Sequence, residues 1–63
     1  MYTVIFFAHF FGETAECNTY VHAVEGPIGE VRDFVSKETS SLLNAGFEDV
    51  EVNIIDPNGN DIK

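Results

Sequence analysis

Residues Tyr2–Phe11, YTVIFFAHFF, carry a density of apolar and aromatic side chains that no other segment of the chain approaches. Phe, Val, Ile and Tyr favour a pleated strand, and both alternating sets of side chains in this stretch are apolar. One set is Tyr2, Val4, Phe6, Ala8 and Phe10, and the other contains Ile5, Phe7 and Phe11. Because such a strand needs cover on both faces, the pattern predicts the central strand of a sheet.

The next segment predicts a hairpin partner for this strand. A short polar connection follows the first strand, and residues 16–24 then resume with Thr, Tyr and Val at alternating positions. In the predicted register Phe11 pairs with the first residue of this second strand. Cys17 and Val21 then lie on the same sheet face as Phe6.

A helix and a third strand complete the predicted order. Gly26 followed by Pro27 indicates a helix start, and a glycine at 46 suits the left-handed residue after a helix end, so a helix is predicted over 27–45. Residues 49–55 alternate between apolar and polar side chains, which is typical of a half-buried strand. Residues 56–63 are predicted to form a turn and a loose tail.

These elements predict an α+β fold, a two-layer ββαβ sandwich with a three-stranded sheet of order 2-1-3 and one helix on one face. With 63 residues the chain is expected to form a single domain, residues 1–63. A domain of this size buries only roughly 60% of the surface that its unfolded chain exposes. One helix then covers one sheet face, and the other face is left as the candidate contact surface.

Two groups of residues are predicted to bind a partner. The first is the uncovered face of the hairpin, which presents Ile5, Phe7, His9, Phe11, Tyr20 and His22. The second is a negative patch in which the helix and the start of the third strand come together, formed by Glu30, Asp33, Glu48, Asp49 and Glu51. An exposed aromatic face indicates an interface with another protein or with a second copy of the chain.

Charge and ligand chemistry exclude several classes of function. Eleven acidic residues against three basic ones give a net charge of −8, which opposes direct binding to nucleic acid and to anionic membranes and favours a basic protein partner. No motif of an enzyme or of a nucleotide site occurs, so neither catalytic residues nor a cofactor are predicted. The predicted register places Cys17 and His9 on opposite faces, so no metal site is predicted either. One cysteine and the absence of a signal sequence predict a soluble cytoplasmic protein.

The sequence VIFFAHFF at residues 4–11, together with the order of hairpin, helix and last strand, resembles small phage-encoded inhibitors of the T-even antitoxin or anti-CRISPR type. The resemblance implies a protein in the host cytoplasm that blocks a host or immune protein, or a nucleic-acid-binding complex, by binding it. An acidic surface acting as a nucleic acid mimic fits this reading. The alternative is a structural homodimer that hides the aromatic sheet face between two copies.

Overall fold

The computed structural model describes residues 1–62 and contains one helix and four strands. The elements are β1 (Tyr2–Phe11), β2 (Ala15–Val24), α1 (Ile28–Asn44), β3 (Asp49–Ile55) and β4 (Asp61–Ile62). The strands form an antiparallel sheet of order β2-β1-β3-β4. The α+β class with one helix is confirmed. The three-stranded sheet is wrong, because a fourth strand extends it beyond β3.

This fourth strand takes the place of part of the tail that was predicted to be loose. The backbone N–H groups of Asn58 and Asn60 donate to Oδ1 of Asp56 at 2.9 and 2.8 Å, which stabilises the turn before β4. The returning chain pairs Ile62 with Ile54, and Ile62 packs against the buried core. This apolar contact is the physical reason that the segment is ordered. The last residue of the predicted tail, Lys63, lies outside the described residues.

The helix ends as its sequence predicts. Gly46 has a φ of +112°, in the left-handed region that side chains with a Cβ atom avoid. The N–H groups of Gly46 and Phe47 donate to the carbonyls of Leu43 and Leu42 at 3.2 and 3.3 Å. These two bonds satisfy carbonyls that the end of a helix leaves free. The chain is thereby turned directly into β3.

The core lies between α1 and one face of the sheet. Val4 and Phe6 of β1 and Val31 of α1 are completely buried, and Ile54 of β3 is 8% exposed. Phe34 extends this core towards β2, since its ring makes edge contacts with Phe6 of β1 and with His22 of β2, at 6.1 and 5.2 Å between ring centroids. The helix therefore covers the sheet face to which the even-numbered side chains of β1 point.

The hairpin register differs from the prediction by one residue. Phe11 pairs with Ala15, so residues 12–14 form the loop between β1 and β2. A shift of one residue moves every side chain of a strand to the other sheet face. Consequently Cys17 and Val21 lie opposite His9 and Ile5, on the face away from the helix. The prediction that they share the face of Phe6 is wrong.

Candidate functional site

The sheet face directed away from α1, which we call the open face, has no cover within residues 1–62. Every sheet residue that is buried lies on the other face: Val4, Phe6, Ala8 and Ile54. The open face receives the odd-numbered side chains of the three long strands, because both pairings of β1, with β2 and with β3, place odd-numbered residues opposite odd-numbered residues. Its larger apolar side chains are Ile5, Phe7, Phe11, Val21 and Ile55.

Four of these side chains, Ile5, Phe7, Phe11 and Val21, form what we call the apolar strip. Val21 is 64% exposed and pairs with Ile5 at one end of the strip, and Phe11 is 57% exposed at the other end. Six residues of strand separate Ile5 from Phe11, which corresponds to about 20 Å. The strip is therefore long enough to contact another protein along most of the hairpin.

Two residues predicted for this face belong to the other one. The corrected register pairs Tyr20 with Phe6 and His22 with Val4, which directs both side chains towards the helix layer. The imidazole of His22 makes edge contacts with the rings of Phe6 at 5.6 Å and Phe34 at 5.2 Å. The prediction that Tyr20 and His22 lie on the open face is wrong, because the three-residue loop moves them across the sheet. Their role in binding a partner stays a prediction.

The same shift brings Cys17 to the open face, directly across from His9. The absence of a metal site was predicted because these two residues were expected on opposite faces, and that reason no longer holds. Cys17 is exposed and its thiol is free. Val21 and Cys17 were thus missed as open-face residues. Both alternating sets of β2 contain apolar side chains, so only the loop length could have identified the correct set.

The five predicted carboxylates are divided between the two layers. Asp49 and Glu51 lie on the open face, because β3 pairs them with His9 and Phe7 of β1. By contrast, Glu30 and Asp33 are exposed on α1, which covers the opposite face. The continuous patch that was predicted to include all of them does not form on one surface.

Glu48 stands immediately before β3 and has a backbone role. Its N–H group donates to the carbonyl oxygen of His9 at 2.9 Å, and its side chain is exposed. This bond continues the ladder between β3 and β1 by one residue. It holds the start of β3 against the part of β1 that carries His9.

His9, Asp49 and Glu51 form a compact group on the open face. One imidazole nitrogen and one carboxylate oxygen from each acid lie within 4.8 Å of one another. The group exists because Asp49 is directly across from His9 and Glu51 is two residues further along the same face. The imidazole of His9 also stacks on the ring of Phe11, with ring centroids 6.0 Å apart and planes 5° from parallel.

The Nε2 atom of His9 is buried and has no hydrogen-bond partner within the part of the chain that the structure describes. Buried polar atoms are hydrogen bonded in the large majority of cases, and an exception calls for an explanation. No cavity that would enclose a small molecule occurs in residues 1–62.

No protein-family model matches the chain, and no curated protein or solved structure matches it. The resemblance to small phage inhibitors therefore stays a prediction. In the described part of the chain, α1 is neither long enough nor apolar enough to cross a membrane.

Proposed function

We propose that this chain is a small acidic protein-binding module that inhibits a partner protein by occupying part of its surface. The observation that carries the proposal is the exposed apolar strip on the open face, at whose ends Phe11 and Val21 remain more than half exposed. Exposed large apolar side chains gathered on one face often mark a contact with another protein. The proposed activity is binding, and no catalytic step is part of it.

The proposal takes the fold to be the two-layer sandwich predicted from the sequence. The packing of Val31 of α1 against Val4, Phe6 and Ile54 supports this arrangement. In a two-layer fold the helix uses one face of the sheet, and the second face remains available to a partner.

The open face also has the composition of an interface. Aromatic and aliphatic side chains occupy β1 and β2, and the carboxylates of Asp49 and Glu51 border them on β3. Interfaces typically have an apolar centre with aromatic anchors and a polar rim. We therefore expect Phe7 and Phe11 to supply most of the binding free energy and the carboxylates to set the orientation of the partner.

The expected partner is another protein with a basic surface. The net charge of −8 and the two carboxylates beside the apolar strip favour a positively charged counterpart, and such complementarity speeds association. A surface that holds nucleic acid has this charge. Occupying it in place of DNA or RNA would be a direct mechanism of inhibition.

A homodimer through the open face is the alternative. Two sheets packed face to face would bring Asp49 and Glu51 of both copies to the same interface. The open face offers no Lys or Arg among residues 1–62, since Arg32 and Lys37 lie on α1. Because unpaired charges lose hydration when they are buried, this composition favours a basic foreign partner over a second copy.

Charge-matched substitutions test the proposal. Phe11→Lys and Val21→Lys each place a charge in the apolar strip, whereas Leu43→Lys makes the same change at a residue of α1 that is 47% exposed. The three variants and the wild type are immobilised and exposed to an extract of the cells that make the protein. Proteins retained on each are quantified by mass spectrometry, and the affinity of any retained protein is measured after purification.

We expect a basic protein that is held by the wild type and by Leu43→Lys. Its affinity should fall at least ~10-fold for Phe11→Lys and Val21→Lys, because loss of an aromatic or aliphatic anchor typically costs more than about 1–2 kcal/mol. Equal retention by all four chains would refute the use of the open face. A concentration-independent dimer in sedimentation equilibrium that Phe11→Lys dissociates would establish the homodimer instead.

A further inference from the structure

We propose that His9, Asp49 and Glu51 form a binding site for a divalent transition-metal ion on the open face. The site shares Asp49 and Glu51 with the rim of the proposed docking surface, but metal binding itself does not require a partner. The three side chains bring one imidazole nitrogen and two carboxylate oxygens within 4.8 Å of one another. Ligands to zinc lie about 2.0–2.2 Å from the ion, so tetrahedral ligand atoms are roughly 3.4 Å apart. Small side-chain rotations would bring the three ligand atoms from their present separations, within 4.8 Å, to the spacing that zinc requires.

The scaffold that carries the three ligands is regular and fixed. His9 and Asp49 are direct partners in the ladder between β1 and β3, and Glu51 is the next residue of β3 on the same face. The bond from the N–H of Glu48 to the carbonyl of His9 holds the two strands together at this point. Stacking on Phe11 restricts the orientation of the imidazole. Sites built on strands hold their ligands more accurately than sites on loops.

Two further observations point to a cation at this place. The Nε2 atom of His9 is buried and unpartnered within residues 1–62, so no hydrogen bond of that nitrogen competes with a change in the orientation of the ring. Asp49 and Glu51 also lie side by side on one strand face, where two carboxylates repel each other. A bound cation would remove this repulsion, and the net charge of −8 raises the concentration of cations near the surface.

The donor set indicates the class of metal. Imidazole nitrogen suits Zn²⁺ and other late first-row ions, whereas Ca²⁺ and Mg²⁺ prefer sites made entirely of oxygen. Three protein ligands leave at least one coordination position open to water or to a group from a partner. Cys17 lies across from His9 on the other side, outside the group of three, and is not a ligand in this proposal.

Zinc titration of the isolated chain tests the site without a partner. The protein is stripped of metal with a chelator, exchanged into buffer and titrated with ZnCl₂ by isothermal calorimetry. The wild type should bind one equivalent. His9→Gln and the double variant Asp49→Asn/Glu51→Gln should each lower the affinity at least ~10-fold, since even the outer-shell partners of metal ligands contribute that much.

Matched controls separate coordination from general charge. The double variant Glu13→Gln/Glu16→Gln removes the same two charges at exposed positions outside the group and should bind zinc as the wild type does. Cys17→Ser should also bind normally. In long-range ¹H–¹⁵N spectra, zinc should shift the ring nitrogens of His9 and leave those of His22 unchanged.

Several results would overturn the site. One is wild-type affinity in His9→Gln, and another is an equal loss of affinity in the Glu13/Glu16 control. Loss of binding in Cys17→Ser would assign the ion to the thiol instead. Calcium or magnesium binding as tight as that of zinc would contradict the proposed class of metal. None of these results depends on whether a protein partner exists.

Discussion

Truncation of two phenylalanines on opposite faces of β1 should separate the core from the open face by the size of the loss in stability. Phe6 is completely buried and makes edge contacts with Phe34 and His22, whereas Phe11 is 57% exposed at the end of the apolar strip. A buried aromatic side chain removes about 150–250 Å² from water, which corresponds to roughly 4–6 kcal/mol as an upper estimate. Measured Phe→Ala losses in cores are about 3–5 kcal/mol.

A chain of 63 residues has a total free energy of unfolding of about 3–9 kcal/mol. Phe6→Ala should therefore remove most of the stability and leave a partly unfolded population in water. Phe11→Ala creates no closed cavity and removes less than half as much buried area, so we expect a loss of about 1–2 kcal/mol.

Urea unfolding followed by circular dichroism measures both losses, provided that the slope of the transition stays the same. Tyrosine fluorescence serves as a second probe to test for two-state behaviour. If Phe11→Ala proved as destabilising as Phe6→Ala, the assignment of the two faces would be refuted. A loss below about 1 kcal/mol for Phe6→Ala would refute it equally.

Three further substitutions test the end of α1 before β3 and the strand β4 after it. Gly46→Ala should lower the free energy of unfolding by about 1–3 kcal/mol, because the φ angle of residue 46 is +112°. Gly29→Ala should raise it by about 0.5–1 kcal/mol, since a Cβ atom added at this helix position meets nothing within 4 Å. If urea unfolding showed that both glycine variants change the free energy of unfolding in the same direction, the proposed helix cap at Gly46 would be contradicted. Ile62→Ala should lower the free energy of unfolding by about 1–2 kcal/mol, because Ile62 packs on the core from β4. An unchanged unfolding midpoint would instead indicate the loose tail that the sequence predicts.

Patterns of side chains predict most of the fold because three of the elements have clear local signals in the sequence. The first strand is apolar on both faces, β3 alternates, and α1 lies between a proline start and a glycine end. β4 is too short for any period to be visible, and only the contact of Ile62 with the core reveals it. The class of the fold follows from local pattern, whereas the size of the sheet depends on a tertiary contact.

The open face was predictable only in part. β1 places Phe7 and Phe11 there by alternation. The same alternation in β3, whose apolar residues face the core, turns Asp49 and Glu51 to the open face, although the predicted negative patch groups them with carboxylates of the helix. The sheet face on which each β2 side chain lies depends on the length of the hairpin loop, and the sequence is compatible with a loop of three or of four residues. The cluster around His9 also depends on the register between β1 and β3, and these two strands are far apart in the sequence because β2 and α1 lie between them. Local pattern does not determine such a register.

The hairpin register supports the docking proposal, since it places Val21 in the apolar strip beside Ile5. A pair of cysteine substitutions measures it directly. Directly opposed residues of antiparallel strands have Cα atoms about 4.5–5.5 Å apart, within the range that a disulfide spans. His9→Cys, oxidised at low protein concentration, should form an internal disulfide with Cys17, seen as a monomer whose mass is lower by two hydrogens. Phe10→Cys should remain reduced or form only intermolecular dimers. An internal disulfide in Phe10→Cys and none in His9→Cys would show that the strands pair one residue out of this register, and would contradict the open face as described.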